Sequence, residues 1–166
     1  MNNVLLEKDL YPYMCVWLQQ RLEDKFKNEN CSIIVEDVST INLDTALNTY
    51  GVLEFYPNIV GLGIQIDVLG IVKWQHKASL FFIEAKKTHL NLHDLGQLWA
   101  YCKLCDPDEA FLLSSAGLGS LSKILNNLKR TDLLSFGEGK IIKHMQVGKW
   151  DTIRNTVDNN SLIPKI

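Results

Sequence analysis

Apolar residues recur at three- and four-residue steps through the first part of the chain, at Leu10, Met14, Trp17, Leu18, Leu22 and Phe26. That period predicts an amphipathic helix over Val4 to Lys27, with regular turns starting near Pro12, whose fixed φ and missing N–H suit a first turn. Cys31 to Val38, centred on Ile33, Ile34 and Val35, reads as a strand. Ser39 to Pro57 carries Asp44, Asn48 and Gly51 and suggests a short helix followed by a loop. Two strands follow. Gly63 to Val72 alternates weakly and is rich in Ile and Val. Ser79 to Lys86 opens on a continuous run, Leu80-Phe81-Phe82-Ile83, that suggests a central strand covered on both faces. Polar Lys73 to Lys77 between them reads as a hairpin connection. Leu92 to Cys105 has helical spacing, with Leu95, Leu98, Trp99 and Cys102 on one side. Ala110 to Ser114 reads as a strand and Leu118 to Leu128 as a helix. Ile141 and Ile142 are expected in a last edge strand, Trp150 to Val157 in a closing helix, and the tail to Ile166 is expected to be mobile.

This order predicts an α/β fold, a central mixed β-sheet flanked by helices on both faces. No repeat, low-complexity tract or Pro/Gly-rich linker interrupts the chain, and its 166 residues suit one domain over 1–166. Hydrophobic residues make up 46% and charged residues 22%, ordinary for a globular protein. Net charge is -2 and the pI about 6.1, so any nucleic-acid binding has to come from a local basic stripe or a metal, not from a global basic surplus. No run of 18 or more apolar residues occurs, so no membrane partner is expected. Met1 to Asp9 lacks the basic-then-apolar order of a signal peptide. A cytoplasmic location is therefore expected, with the four cysteines as free thiols.

The chemistry concentrates on Asp67 and, after sixteen residues, Glu84-Ala85-Lys86. Side chains two apart in a strand face the same way, so Glu84 and Lys86 share a face while Ile83 and Ala85 take the other. These charges stand at the end of the most apolar strand, where burying them unpaired is costly. If the preceding strand pairs antiparallel, Asp67 falls beside Glu84, and two close carboxylates repel unless a cation or a proton lies between them. Mg2+ prefers oxygen ligands and keeps several waters. Such a site suits phosphodiester cleavage, with Lys86 holding or activating the attacking water or stabilising developing charge. Lys86, Lys87, His89 and His93 form the best local basic patch, beside the site, where a nucleic-acid backbone would pass.

Asp67…Glu84-Ala85-Lys86 resembles the signature of the PD-(D/E)XK nuclease superfamily, with Ile66 where the formal motif has proline. Gln97-Leu98-Trp99-Ala100-Tyr101 is similar to the Gln-x-x-x-Tyr element of RecB-like members, and its i,i+4 spacing puts Gln97 and Tyr101 on one helix face. Glu7, three and seven residues before Leu10 and Met14, matches a glutamate that several members contribute from the first helix. The resemblance implies a restriction-endonuclease-like core and a Mg2+-dependent nuclease, Mn2+ being a substitute. It implies metal ligation by Asp67, Glu84, the Ala85 carbonyl and Glu7, catalysis by Asp67, Glu84 and Lys86, and substrate contacts from Gln97, Tyr101 and Lys87. The expected partner is nucleic acid, DNA first. Cutting both strands of a duplex needs two such sites, which allows a homodimer.

Competing readings stand beside these. Glu84 and Lys86 also read as a surface pair ending a strand, Gln97 and Tyr101 as helix surface and core, and Glu7 as a solvated helix residue. A catalytically silent nuclease-like domain that binds nucleic acid or protein, and an RNA-directed nuclease, are the alternative functions. Cys102-Lys103-Leu104-Cys105 has CxxC spacing but lacks two further cysteines nearby, so buried free thiols are expected. Gly61-Leu62-Gly63 reads as a turn. Ser114-Ser115-Ala116-Gly117-Leu118-Gly119 reads as a β–α turn whose amides could also take phosphate.

Overall fold

A computed structural model describes residues 6–165. Val4 and Ile166, the outer limits of the first expected helix and of the tail, lie outside them. Helix α1 (Tyr11–Lys25) carries Pro12 in its first turn, as its missing N–H favours, and a 3-10 turn, Glu7–Asp9, precedes it. Strand β1 (Ser32–Asp37) and helix α2 (Leu43–Thr49) follow, then β2 (Val68–Lys73) and β3 (Ala78–Lys86) as an antiparallel hairpin. Helix α3 (Leu92–Cys105) crosses over to β4 (Glu109–Ser114). Helix α4 (Ser120–Ser122) runs into a π turn, Lys123–Asn127. Short β5 (Ser135–Phe136) and β6 (Lys143–His144) pair with each other, and β7 (Gln146–Asp151) and β8 (Thr156–Val157) close the main sheet.

The main sheet has six strands in the order β1-β2-β3-β4-β7-β8. Strand β2 runs antiparallel to both β1 and β3, while β3, β4 and β7 are parallel, and β8 returns antiparallel to β7. The sheet is therefore mixed, as expected. The parallel pairings need crossovers, and α3 supplies the first. Side chains alternate between two cores. Val68, Phe81, Ile83 and Phe111 pack under α1, against Met14, Leu18 and Leu22. Leu69, Phe82, Leu112 and Val147 pack against α2, α3 and α4 on the other face. Each such apolar side chain contributes about 1.5–3 kcal/mol by leaving water. Helix α1 sits so close to the sheet that a Cβ on Gly70 would meet Leu18 Cδ2 and Leu22 Cδ1 at 3.0 Å.

Four expectations change. The Gly63–Val72 strand begins only at Val68, because β1 ends at Asp37 and the last rung is Asp37↔Val68; Ile64 and Ile66 are buried but lie outside the ladder. Ile141 and Ile142 are each 67% exposed and precede β6 instead of forming an edge strand. The segment 150–157 is a hairpin, not a helix. Trp150 is buried at the end of β7, and Asp151 Oδ1 caps the turn by accepting from the Ile153 and Arg154 amides at 2.9 and 3.1 Å. The tail is held: Ile163 and Val147 exchange two backbone hydrogen bonds of 2.9 Å, and Leu162 is buried. Among the described residues no helix is long and apolar enough to cross a membrane.

Candidate active site

The β2–β3 register ends at Val68↔Ile83, so continuing the antiparallel pairing sets Asp67 across from Glu84. Asp67 is fixed three ways. Its backbone carbonyl accepts from the Val38 amide at 3.0 Å, Oδ2 accepts from the Ala85 amide at 2.9 Å, and Oδ1 accepts from the Tyr11 hydroxyl at 3.0 Å. Each carboxylate oxygen still has a lone pair for another partner.

Glu84 is 8% exposed, and its Oε1 is buried with no hydrogen-bond partner. Burial, and then the charge of Asp67, push its pKa from 4.5 up to about 9; Lys86 opposes the rise. In this state the carboxyl holds a proton at neutral pH. A cation between the two groups would remove that penalty and satisfy the orphaned oxygen. The donor set of two carboxylates and the nearby Ala85 carbonyl fits a hard divalent ion that keeps much of its own water. Tyr11 is also pushed up, by burial first and then by Asp67, with smaller contributions from Glu7 and Glu84. It therefore stays a neutral donor. Glu7 acts electrostatically on the Tyr11 hydroxyl from the 3-10 turn one helical turn away. Its carboxylate does not close a group of three His, Cys, Asp or Glu side chains with Asp67 and Glu84 among the described residues.

Lys86 lies on the Glu84 face of β3, its Nζ 4.0 Å from Asp94 Oδ1. Asp94 is held by a reciprocal cap at the start of α3: Asn91 Oδ1 accepts from its amide at 3.0 Å, and Asp94 Oδ2 accepts from the Asn91 amide at 3.1 Å. Gln97 Nε2 donates to the Tyr101 hydroxyl at 3.3 Å, so the structure joins these two directly. Asp94, Gln97 and Tyr101 recur at three- and four-residue steps and share a stripe of α3. Further along, Cys102 has its thiol pushed up by burial first and, among smaller causes, by Glu84, which places α3 over the Glu84 face. Lys87, His89 and His93 are exposed beside the site. The four cysteines are free, Cys102 and Cys105 being buried.

Two residues of this site escaped the sequence pattern. Tyr11 shares the inward stripe of Met14, Leu18 and Leu22, and a phenol on a buried stripe needs an acceptor, which was the available signal. Asp94 was readable from Asn91-x-x-Asp94 as a cap, but its approach to Lys86 depends on how α3 lies on the sheet. Compared with protein-family profiles, curated proteins and solved structures, the chain matches none.

Proposed function

We propose that this chain is a Mg2+-dependent nuclease of the PD-(D/E)XK type, with a restriction-endonuclease-like core, cutting phosphodiester bonds in DNA. The observation that carries the reading is the buried, unpartnered Glu84 Oε1 beside Asp67, with Lys86 on the same strand face. Asp67, Glu84 and the Ala85 carbonyl would hold the ion. When bound, Mg2+, or Mn2+ in its place, offsets phosphoryl charge and lowers the pKa of water. Tyr11 and the Ala85 amide keep the Asp67 carboxylate oriented. Lys86 presents an ammonium donor toward the attacking water or the developing negative charge, with Asp94 steadying it. The α3 stripe of Gln97 and Tyr101, with Lys87, faces the polynucleotide. A homodimer would supply two sites for a duplex.

The test is cleavage of supercoiled plasmid, linear duplex, single-stranded DNA, a four-way junction and RNA, each with Mg2+, Mn2+ or EDTA. Metal-dependent cutting of a DNA substrate supports the proposal. Cutting of RNA alone reassigns the substrate. No cutting, with no Mg2+ binding by calorimetry, replaces the enzyme by a nuclease-like binding domain.

A further inference from the structure

The parallel register continues the catalytic row across the sheet. Lys86 pairs with Ser114, and Ser114 pairs with Lys149, so the three stand in line on β3, β4 and β7. All three belong to the face that carries Glu84, Leu112 and Val147. Two inter-strand spacings put the Lys149 backbone about 10 Å from that of Lys86. Here the sheet end opens into a cleft of about 740 Å3 between the turn after β4 and the C-terminal segment.

The lining of this cleft includes Lys149, Lys165, Ser122, Asn126 and Asn160 and no acidic side chain. In a chain of net charge -2 that is a local surplus of two positive charges. Lys149 and Lys165 are exposed and enter no ion pair among the described residues. Asp151, two residues along β7 and close enough to feel Lys149, commits Oδ1 to two backbone amides. The wall toward the catalytic strand is fixed in place. Gly119, at φ +53, packs so tightly on the segment after Lys86 that a Cβ would lie 2.7 Å from the Leu90 carbonyl and 2.8 Å from His89 Cβ. Ser115 donates its amide to the Lys86 carbonyl at 3.0 Å. Gly117, by contrast, faces open space, leaving its backbone approachable.

We propose that this cleft binds a backbone phosphate of the polynucleotide, flanking the bond that is cut. The inference rests on the nuclease reading and narrows its substrate class to a chain with phosphates on at least one side of the scissile one. Ammonium and amide donors suit a phosphodiester, and the carboxylates beside Lys149, Asp151 and Asp158, line a separate cleft and each give Oδ1 to backbone amides. About 10 Å is a reach of up to roughly three nucleotides along a stacked strand. DNA and RNA share this chemistry, and the arms of the test separate them.

The experiment is a salt titration of affinity, read by fluorescence anisotropy in EDTA. Probes are single-stranded DNA, duplex DNA and RNA of one sequence. The proteins are wild type, Lys149→Gln/Lys165→Gln and a charge-matched control, Lys27→Gln/Lys140→Gln, at two exposed lysines outside the cleft lining. Each lysine on a phosphate contributes about 0.9 to the log–log salt slope for duplex and about 0.7 for a single strand. The cleft variant is expected to lose one or two such steps, and the polymer whose slope falls is the one the cleft holds. Wild-type binding with an unchanged slope in the cleft variant, or an equal fall in the control, overturns the cleft and leaves the nuclease reading standing. Wild type that binds no polymer at any salt overturns the cleft, and the nuclease reading is then decided by the cleavage assay in Mg2+.

Discussion

Replacing Glu84 by glutamine removes a proton-binding group while keeping the shape of a side chain that is 8% exposed. Below about pH 4.5 the wild-type carboxyl is protonated in both folded and unfolded chains. Above that, the unfolded chain releases the proton, whereas the buried group beside Asp67 keeps it up to about pH 9. The folded state then binds more protons, so wild-type stability falls as pH rises through this window. One pKa unit is worth about 1.4 kcal/mol, so from pH 6 to pH 8 wild type should lose about 3 kcal/mol relative to Glu84→Gln. With a urea m-value of about 2 kcal/mol/M, the two midpoints diverge by about 1.5 M over that range. The assay is urea unfolding across pH in EDTA, read as the difference between the two proteins. Parallel pH profiles would refute the reasoning, because they would mean that Glu84 ionises normally and that the site has no unmet charge. Mg2+ binding must expel the same proton, so wild-type affinity should rise with pH, by at most about tenfold per unit, and lose that dependence in Glu84→Gln.

Three further outcomes are expected. Tyr11→Phe deletes the 3.0 Å donor to Asp67, which should cost about 1–2 kcal/mol of stability and about tenfold in Mg2+ affinity by calorimetry; an unchanged affinity would show that Asp67 needs no such restraint. Asp94→Ala removes one half of the α3 cap and the partner of Lys86, and should lower the urea midpoint by the equivalent of about 1 kcal/mol. Gly70→Ala pushes a methyl against Leu18, Leu22 and the Phe81 Cβ at 3.0–3.1 Å, and should destabilise by about 1–3 kcal/mol in thermal melts; a fully stable variant would contradict the seating of α1 on β2.

Local order made much of this fold legible. The α3 limits, Leu92–Cys105, follow from a clear 3.6-residue period and a real N-cap, and β3 follows from an apolar run too continuous for a one-sided strand. The meeting of Asp67 and Glu84 needed only the hairpin between them. The C-terminal third was illegible for a physical reason. Gln146–Asp151 contains Gly148 and Lys149 between its buried residues, so its alternation is broken, and β7 is specified by its place beside β4 and by the Ile163 pairing more than by its own pattern. Ile141 and Ile142 carry strand propensity but find no face to cover, and stay exposed. Tyr11 and Asp94 belong to the site through helix placement, which spacing alone does not encode.

The most direct test of the central claim is the rate of supercoiled-plasmid cleavage by wild type, Glu84→Gln and Lys86→Ala, side by side in Mg2+ and in EDTA. Cleavage by wild type that EDTA stops, and that both substitutions reduce by at least about 100-fold, is the predicted result. Equal cleavage by all three proteins, or wild-type cleavage that persists in EDTA, would contradict the assignment of Glu84 and Lys86 to a metal-dependent active site.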